Sequence, residues 1–157
     1  MKVVSNSPSA AKQLAEFIGK FDPAMARRIR AVRAALRKRF PTATELVYDN
    51  YNFFVIGYSS TERPSDCIVS IVANAKGVGL SFYYGSGLPD PHKILEGSGS
   101  QNRFIRLTAG AATLERPEVK ELLQAAAAQA KRPLPTSGGG KTVIRSISAK
   151  QRPRRES

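Results

Sequence analysis

The side chains that could perform catalysis or bind a transition metal are scarce in this chain. It has one histidine, His92, and one cysteine, Cys67, whereas a zinc or haem site needs several such donors converging on one point. His92 is also the only imidazole base, and no nucleophile motif accompanies it. Cys67 precedes Ile68 and Val69, which favours a small buried residue over a reactive thiol. We therefore expect no enzyme activity and no cofactor.

Carboxylates are the remaining candidates for metal ligands. Glu45 and Asp49 are four residues apart and would share one face of a continuous strand. Asp66 and Asp90 are the further candidates for such a site. The simpler interpretation is that these groups are solvated carboxylates at strand ends.

Two glycine turns flank a short helical turn between Phe82 and Gly99, and their backbone amides could form a concave anion site. The candidates for this site are Gly85, Gly87, Lys93, Gly97, Gly99, Arg103 and Arg106. Turn geometry alone also explains the glycines, because glycine readily adopts positive φ. A second glycine run, ending in Lys141 and Thr142, is not a phosphate-binding loop, since Pro135 stands where that pattern requires glycine.

The net charge of +13 is concentrated in two segments. Residues 23–44 and residues 131–157 each carry +7, which leaves −1 for the rest of the chain. This arrangement could support sequence-independent binding to nucleic acid, through the tail and through Arg27, Arg30, Arg33, Arg37 and Lys38. The alternative is a solvated helix face, and no recognised nucleic-acid motif is present.

Helical periodicity marks the N-terminal part of the chain. Ser7 and Pro8 are a plausible N-cap and first residue of a helix that ends near Phe21, and Pro23 opens a second helix that Pro41 ends. The second helix has one narrow apolar stripe, so we expect its arginines to lie on the other faces.

The pattern then changes to strands. Extended segments surround Asp49 and Asn50, and residues 74–77 form the turn of a hairpin. Phe104 to Leu107 could add a last strand, and Pro117 opens an alanine-rich helix. The order predicts an α+β fold: an antiparallel sheet of about four to five strands, with N-terminal helices and a C-terminal helix packed on it.

A change of composition divides the chain near Arg132. We expect one domain over residues 1–132 and a basic, mostly flexible tail over residues 133–157, because the tail is rich in glycine and proline and has few apolar residues. Thr142, Val143 and Ile144 could nevertheless pair with a sheet edge.

These features together resemble a known family. They are a basic amphipathic helix ending near Phe40, Glu45 with Tyr48, a strand hairpin, the segment from Phe82 to Leu107 and a closing helix after Pro117. The pattern is similar to the YdhG-like family of bacterial domains of unknown function, across roughly Leu14 to Ala130. The resemblance implies helices packed on one antiparallel sheet. It also implies iron delivery as an activity, since the family includes a frataxin-like iron chaperone.

Three functional hypotheses follow. The first is a non-enzymatic binding domain with a shallow site at Tyr48, Asp49, Tyr84 and the glycine turns, for a small ligand or anion of unknown identity. The second is weak nucleic-acid binding, and the third is iron carriage through Glu45, Asp49, Asp66 and Asp90. The N-terminal residues lack the apolar run of a signal peptide and no segment is long enough to span a membrane, so we expect a cytoplasmic protein.

Overall fold

A computed structural model describes residues 8–156. In chain order the elements are α1 (Pro8–Gly19), α2 (Pro23–Arg39), β1 (Thr44–Asp49), β2 (Phe54–Ser59), β3 (Cys67–Asn74), β4 (Gly77–Phe82), β5 (Arg103–Arg106), α3 (Pro117–Ala128) and β6 (Thr142–Ile147). Short 3-10 turns occupy Pro64–Asp66, Gly85–Gly87 and Gly110–Glu115.

The helices follow the predicted signals. Pro23 and Pro117 stand at the first turns of α2 and α3, where a missing N–H costs nothing, and α2 ends just before Pro41. The apolar stripe of α2 is buried. The predicted N-cap, Ser7, lies outside the described residues. None of the described helices has both the length and the apolar composition needed to cross a bilayer.

The sheet has six strands in the order β5-β4-β3-β2-β1-β6. Strands β1 to β5 pair antiparallel, as predicted, and the hairpin turn lies between Asn74 and Gly77. The expectation of a purely antiparallel sheet is wrong for the sixth strand, because β6 runs parallel to β1. The fold is therefore α+β with a mixed sheet.

Strand β6 corrects the prediction of a mostly flexible tail. Pairing of Thr142, Val143 and Ile144 with a sheet edge is confirmed, and all three are buried against β1. Gly140 allows this approach, since a Cβ at that position would collide with the carbonyl oxygen of Ala43. Farther along, the side chain of Arg154 is 3% exposed and paired with Asp49. The tail thus gains strand hydrogen bonds, apolar burial and an ion pair that its composition alone does not reveal.

The two faces of the sheet have different surroundings. Nearly all the buried apolar side chains belong to one cluster between the helices and the face that carries Val47, Ile56, Ile71 and Leu80. The buried Leu46 and Val143 lie outside that cluster, on the opposite face. Strand side chains alternate between faces, so the residues between the core positions form a surface that the helices leave uncovered.

Candidate functional site

Glu45 lies on the helix-covered face and is held by four side chains. Arg33 donates two hydrogen bonds of 2.9 Å to its carboxylate, and Arg37 donates one of 3.2 Å. The hydroxyls of Tyr58 and Thr142 each donate one of 2.8 Å. Elements α2, β2 and β6 are thereby tied to one carboxylate on β1.

The Glu45 carboxylate remains charged in this position. Burial raises the pKa of its carboxyl group, but the hydrogen bond and charge of Arg33, with the bonds from Tyr58 and Thr142, lower it more, and the net pKa lies below the ordinary value. The same contacts act on Tyr58, where burial and the neighbouring Glu45 charge raise the pKa of the phenol well above its ordinary value. A buried carboxylate that accepts hydrogen bonds from four side chains is typical of a structural role in the fold.

Asp49 forms a second buried cluster on the same face. Its side chain is fully buried, with Lys20, which directly follows α1, at 2.7 Å and Arg154 of the C-terminal segment at 2.8 Å. Gln151 donates to the backbone carbonyl of Asp49. This carboxylate ties the turn after α1 and the C-terminal segment to the end of β1.

The four carboxylates considered for iron therefore have other partners. Asp66 accepts a hydrogen bond from Thr61 and lies 3.6 Å from Arg132, and Asp90 accepts the backbone N–H groups of Ile94 and Leu95. Within residues 8–156, no group of three or more His, Cys, Asp or Glu side chains could hold a metal ion.

The site predicted at Tyr48, Asp49 and Tyr84 is not brought together. Tyr48 and Asp49 are adjacent in β1 and point to opposite faces, and neither lines any of the four main cavities among residues 8–156. Tyr84 is remote from both in the fold: it stacks on Tyr83 and donates to the carbonyl of Ser65.

The first glycine turn, at Gly85 to Gly87, uses its amides internally. The N–H groups of Ser86, Gly87 and Leu88 donate to backbone carbonyls, and a Cβ on Gly85 would lie 2.9 Å from the backbone nitrogen of Arg103. The Arg103 guanidinium donates to the carbonyls of Gly99 and Asn102. Gly97 has a φ of +112°, a conformation that favours glycine. Lys93 is exposed, with a left-handed φ of 54°.

The predicted nucleic-acid residues divide into two groups. Arg27, Arg30 and Lys38 are exposed on α2, whereas Arg33 and Arg37 are bound to Glu45. Several basic side chains of residues 131–157 are also paired, including Arg132, Lys141 and Arg154. The charge of both segments is thus partly neutralised within the fold.

The uncovered face of the sheet holds a cavity of about 970 Å³. Its floor crosses β2 to β5 and consists of small or short side chains, namely Val55, Ser70, Val72, Gly79 and Ser81. Phe53 stands at one side and is 43% exposed, and Phe104 stands at the other. A Cβ on Gly79 would lie 2.9 Å from the carbonyl oxygen of Ile105, so close strand packing explains this glycine. The result is a trough between two aromatic rings.

The charges around this trough have one sign. Its lining residues include Arg28, Lys76 and Arg106, and no carboxylate. Arg106 has an outside partner, Glu96, at 3.7 Å, but both side chains are largely exposed, so this pair adds little. Asn74 and Asn102 add amide groups to the lining. The trough is therefore suited to an anionic ligand with a flat apolar part.

Sequence reasoning identified Arg106 but missed Phe53, Lys76 and Phe104. The alternation of residues 78–82 in the sequence is consistent with Gly79 and Ser81 lying opposite the apolar positions of β4, but which face the helices cover depends on long-range packing. No family model, curated protein or solved structure matches this chain. The resemblance to the YdhG-like family stays a prediction.

Proposed function

We propose that this chain is a non-enzymatic binding protein that holds an anionic ligand in the trough on the uncovered face of its sheet. The observation that carries the proposal is the trough itself. It is a concave cavity with a volume of about 970 Å³, and its lining has three cations and no carboxylate. Ligand sites are commonly concave and mostly apolar, with a few polar groups that orient the ligand. The trough has this composition.

The chemistry around the trough favours binding over catalysis. Burial raises the pKa of the Cys67 thiol, which keeps it protonated. His92 is paired at 3.3 Å with Glu121 of α3 and does not line the trough. The groups that do line it are aromatic rings, amides, hydroxyls and cations, which can position a ligand, and the lining has no carboxylate or imidazole to activate a hydroxyl.

The test is a thermal-shift and calorimetric screen with three anionic aromatic probes: adenosine monophosphate, flavin mononucleotide and benzoate. Ligands that bind only the folded state raise its apparent stability, so we expect a shift from at least one probe and none from adenosine, which lacks the anion. Arg106→Glu should weaken the binding at least tenfold because it reverses one of the three charges.

Arg30→Glu is the matched control, since Arg30 is exposed on α2, outside the trough. Equal losses in the two variants would mean that only net charge matters. That result, or the absence of any shift from all three probes, would contradict the proposal.

A further inference from the structure

We propose that the ligand is single-stranded nucleic acid, laid across the strands on the uncovered face. This inference rests on the proposed function and names its ligand class. The expectation from sequence placed nucleic acid on the exposed face of α2 and on a flexible tail. The geometry points instead to the sheet.

The trough continues into two neighbouring hollows, which makes the surface long. Phe53 lines the trough, a hollow at Tyr51 and Ser146, and a third hollow at Lys76 and Arg152. Together they extend from β5 to β6, which is five strand spacings, or about 24 Å. A path of this length fits a chain of several units better than one compact ligand.

Cations outnumber the one carboxylate, Glu156, among the residues that line this path. Arg106 stands on β5, Lys76 on the turn between β3 and β4, and Arg152 beyond β6. Lys76 lines both the trough and the third hollow, so it links them. Cations distributed along a groove match the regular charges of a phosphate backbone, and release of counterions from that backbone favours binding.

Aromatic rings accompany the cations at three places on this path. Phe53 and Tyr51 are 43% and 48% exposed, and Phe104 lies on the far wall of the trough. The Arg152 guanidinium lies 5.5 Å from the centre of the Tyr51 ring. Unpaired bases stack on such rings, and a sheet surface with two or three exposed aromatics is a known way to bind single-stranded RNA.

Two other occupants fit less well. A duplex keeps its bases stacked on one another, so it would leave the three aromatic rings without partners. A second copy of this chain would bring the cation-lined trough against another of the same charge. Single-stranded nucleic acid can stack its bases on the aromatic rings and place its phosphates near the cations.

The test is fluorescence anisotropy with labelled ten-nucleotide oligouridylate and oligothymidylate, against a duplex of equal length, in a salt series. We expect the single strands to bind at least tenfold more tightly than the duplex and than the mononucleotide. Phe53→Ala should weaken single-strand binding roughly tenfold, the order expected for one lost stacked base. Arg106→Ala should lower the slope of log affinity against log salt by about 0.7.

Tyr83→Ala is the matched control for Phe53→Ala. Tyr83 is 44% exposed but stacks on Tyr84, away from the path. Because Phe104 packs near Gly97, Phe104→Leu keeps the apolar volume while removing the flat ring, and it should also weaken binding several-fold.

The outcomes separate this inference from the proposed function. If an anionic aromatic probe binds with sensitivity to Arg106→Glu, but oligonucleotides bind no more tightly than the mononucleotide, the nucleic-acid inference is wrong and the proposed function stands. Equal binding of duplex and single strand, or equal losses in Tyr83→Ala and Phe53→Ala, would also overturn the inference. If no probe and no oligonucleotide binds, both are wrong.

Discussion

The two faces of the sheet use charge in opposite ways. On the covered face, Glu45 and Asp49 are 2% and 0% exposed and are bound by cations from the turn after α1, from α2 and from the C-terminal segment. On the uncovered face, Arg145 lies beside the half-buried Tyr48, and Arg106 and Lys76 stand exposed at the far strands. The charges of the covered face are buried in ion pairs that join distant segments, whereas Arg106 and Lys76 on the uncovered side are exposed to solvent.

This difference explains why residue type alone is a poor guide to function here. The carboxylates and arginines drew attention in the sequence because they can bind metals or phosphates. In the structure several of these charged side chains pair with one another. Asp49, for example, pairs with both Lys20 and Arg154, which are far apart in the sequence. The floor of the trough is instead formed by residues with no distinctive chemistry, such as Gly79 and Ser81.

The largest expected effect is on the covered face. Glu45→Gln removes the negative charge but keeps the shape, so Arg33 loses its buried counterion. Removing one partner of a buried pair is strongly destabilising, and we expect the free energy of unfolding to fall by roughly 3 kcal/mol. Urea denaturation followed by circular dichroism measures this loss.

Glu115→Gln is the control for this change, because Glu115 is 73% exposed and should change stability by less than about 0.5 kcal/mol. A loss in Glu45→Gln no larger than in the control would contradict a structural role for the cluster. It would return Glu45 to the list of candidate ligand-binding residues.

Local signals predicted much of the fold, and they allowed residues 142–144 to pair with a sheet edge, but they did not predict which strand these residues join or in which direction. Pro23 and Pro117 mark helix starts, and Asn74 to Gly77 marks a turn, because each effect acts within a few residues. The parallel pairing of β6 with β1 joins residues about a hundred positions apart. This pairing requires a residue without a side chain at Gly140, because the backbone there lies against Ala43. The spacing of apolar residues in the sequence does not indicate such a contact.

For the candidate site, too, local features were predictable from the sequence and tertiary contacts were not. Alternation in β1 places Glu45 and Asp49 on one face, as expected, but the donors that bind them come from five separate parts of the chain: the turn after α1, α2, β2, β6 and the C-terminal segment. Phe53 follows a polar loop and precedes the buried Phe54, so the sequence alone suggests one more core residue. Only the packed structure shows that the two rings point to opposite faces.

A smaller effect concerns pH. The pKa of Glu45 is lowered in the folded state, so its ionised form contributes stability above the unfolded pKa of about 4.5. This contribution is lost as the pH falls from 4.5 through the lower folded pKa. Urea midpoints measured between pH 7 and pH 3 should therefore fall more steeply in the parent chain than in Glu45→Gln.

Parallel pH curves for the two proteins would contradict this account. Other carboxylates titrate in the same range in both proteins, so only the difference between the curves reports Glu45. A Glu115→Gln curve that matches the parent would show that the difference is specific to the covered face.

The smallest expected effect is the change in stability from substitutions on the uncovered face. Phe53 is 43% exposed and the Arg106 side chain 71% exposed, so Phe53→Ala and Arg106→Ala remove few buried contacts. We expect each to change the free energy of unfolding by less than about 1 kcal/mol, measured by urea denaturation. A loss of 3 kcal/mol in either variant would mean that this face also holds the fold together. Losses of binding in these variants would then report unfolding, whereas unchanged stability lets them report the contact with the ligand.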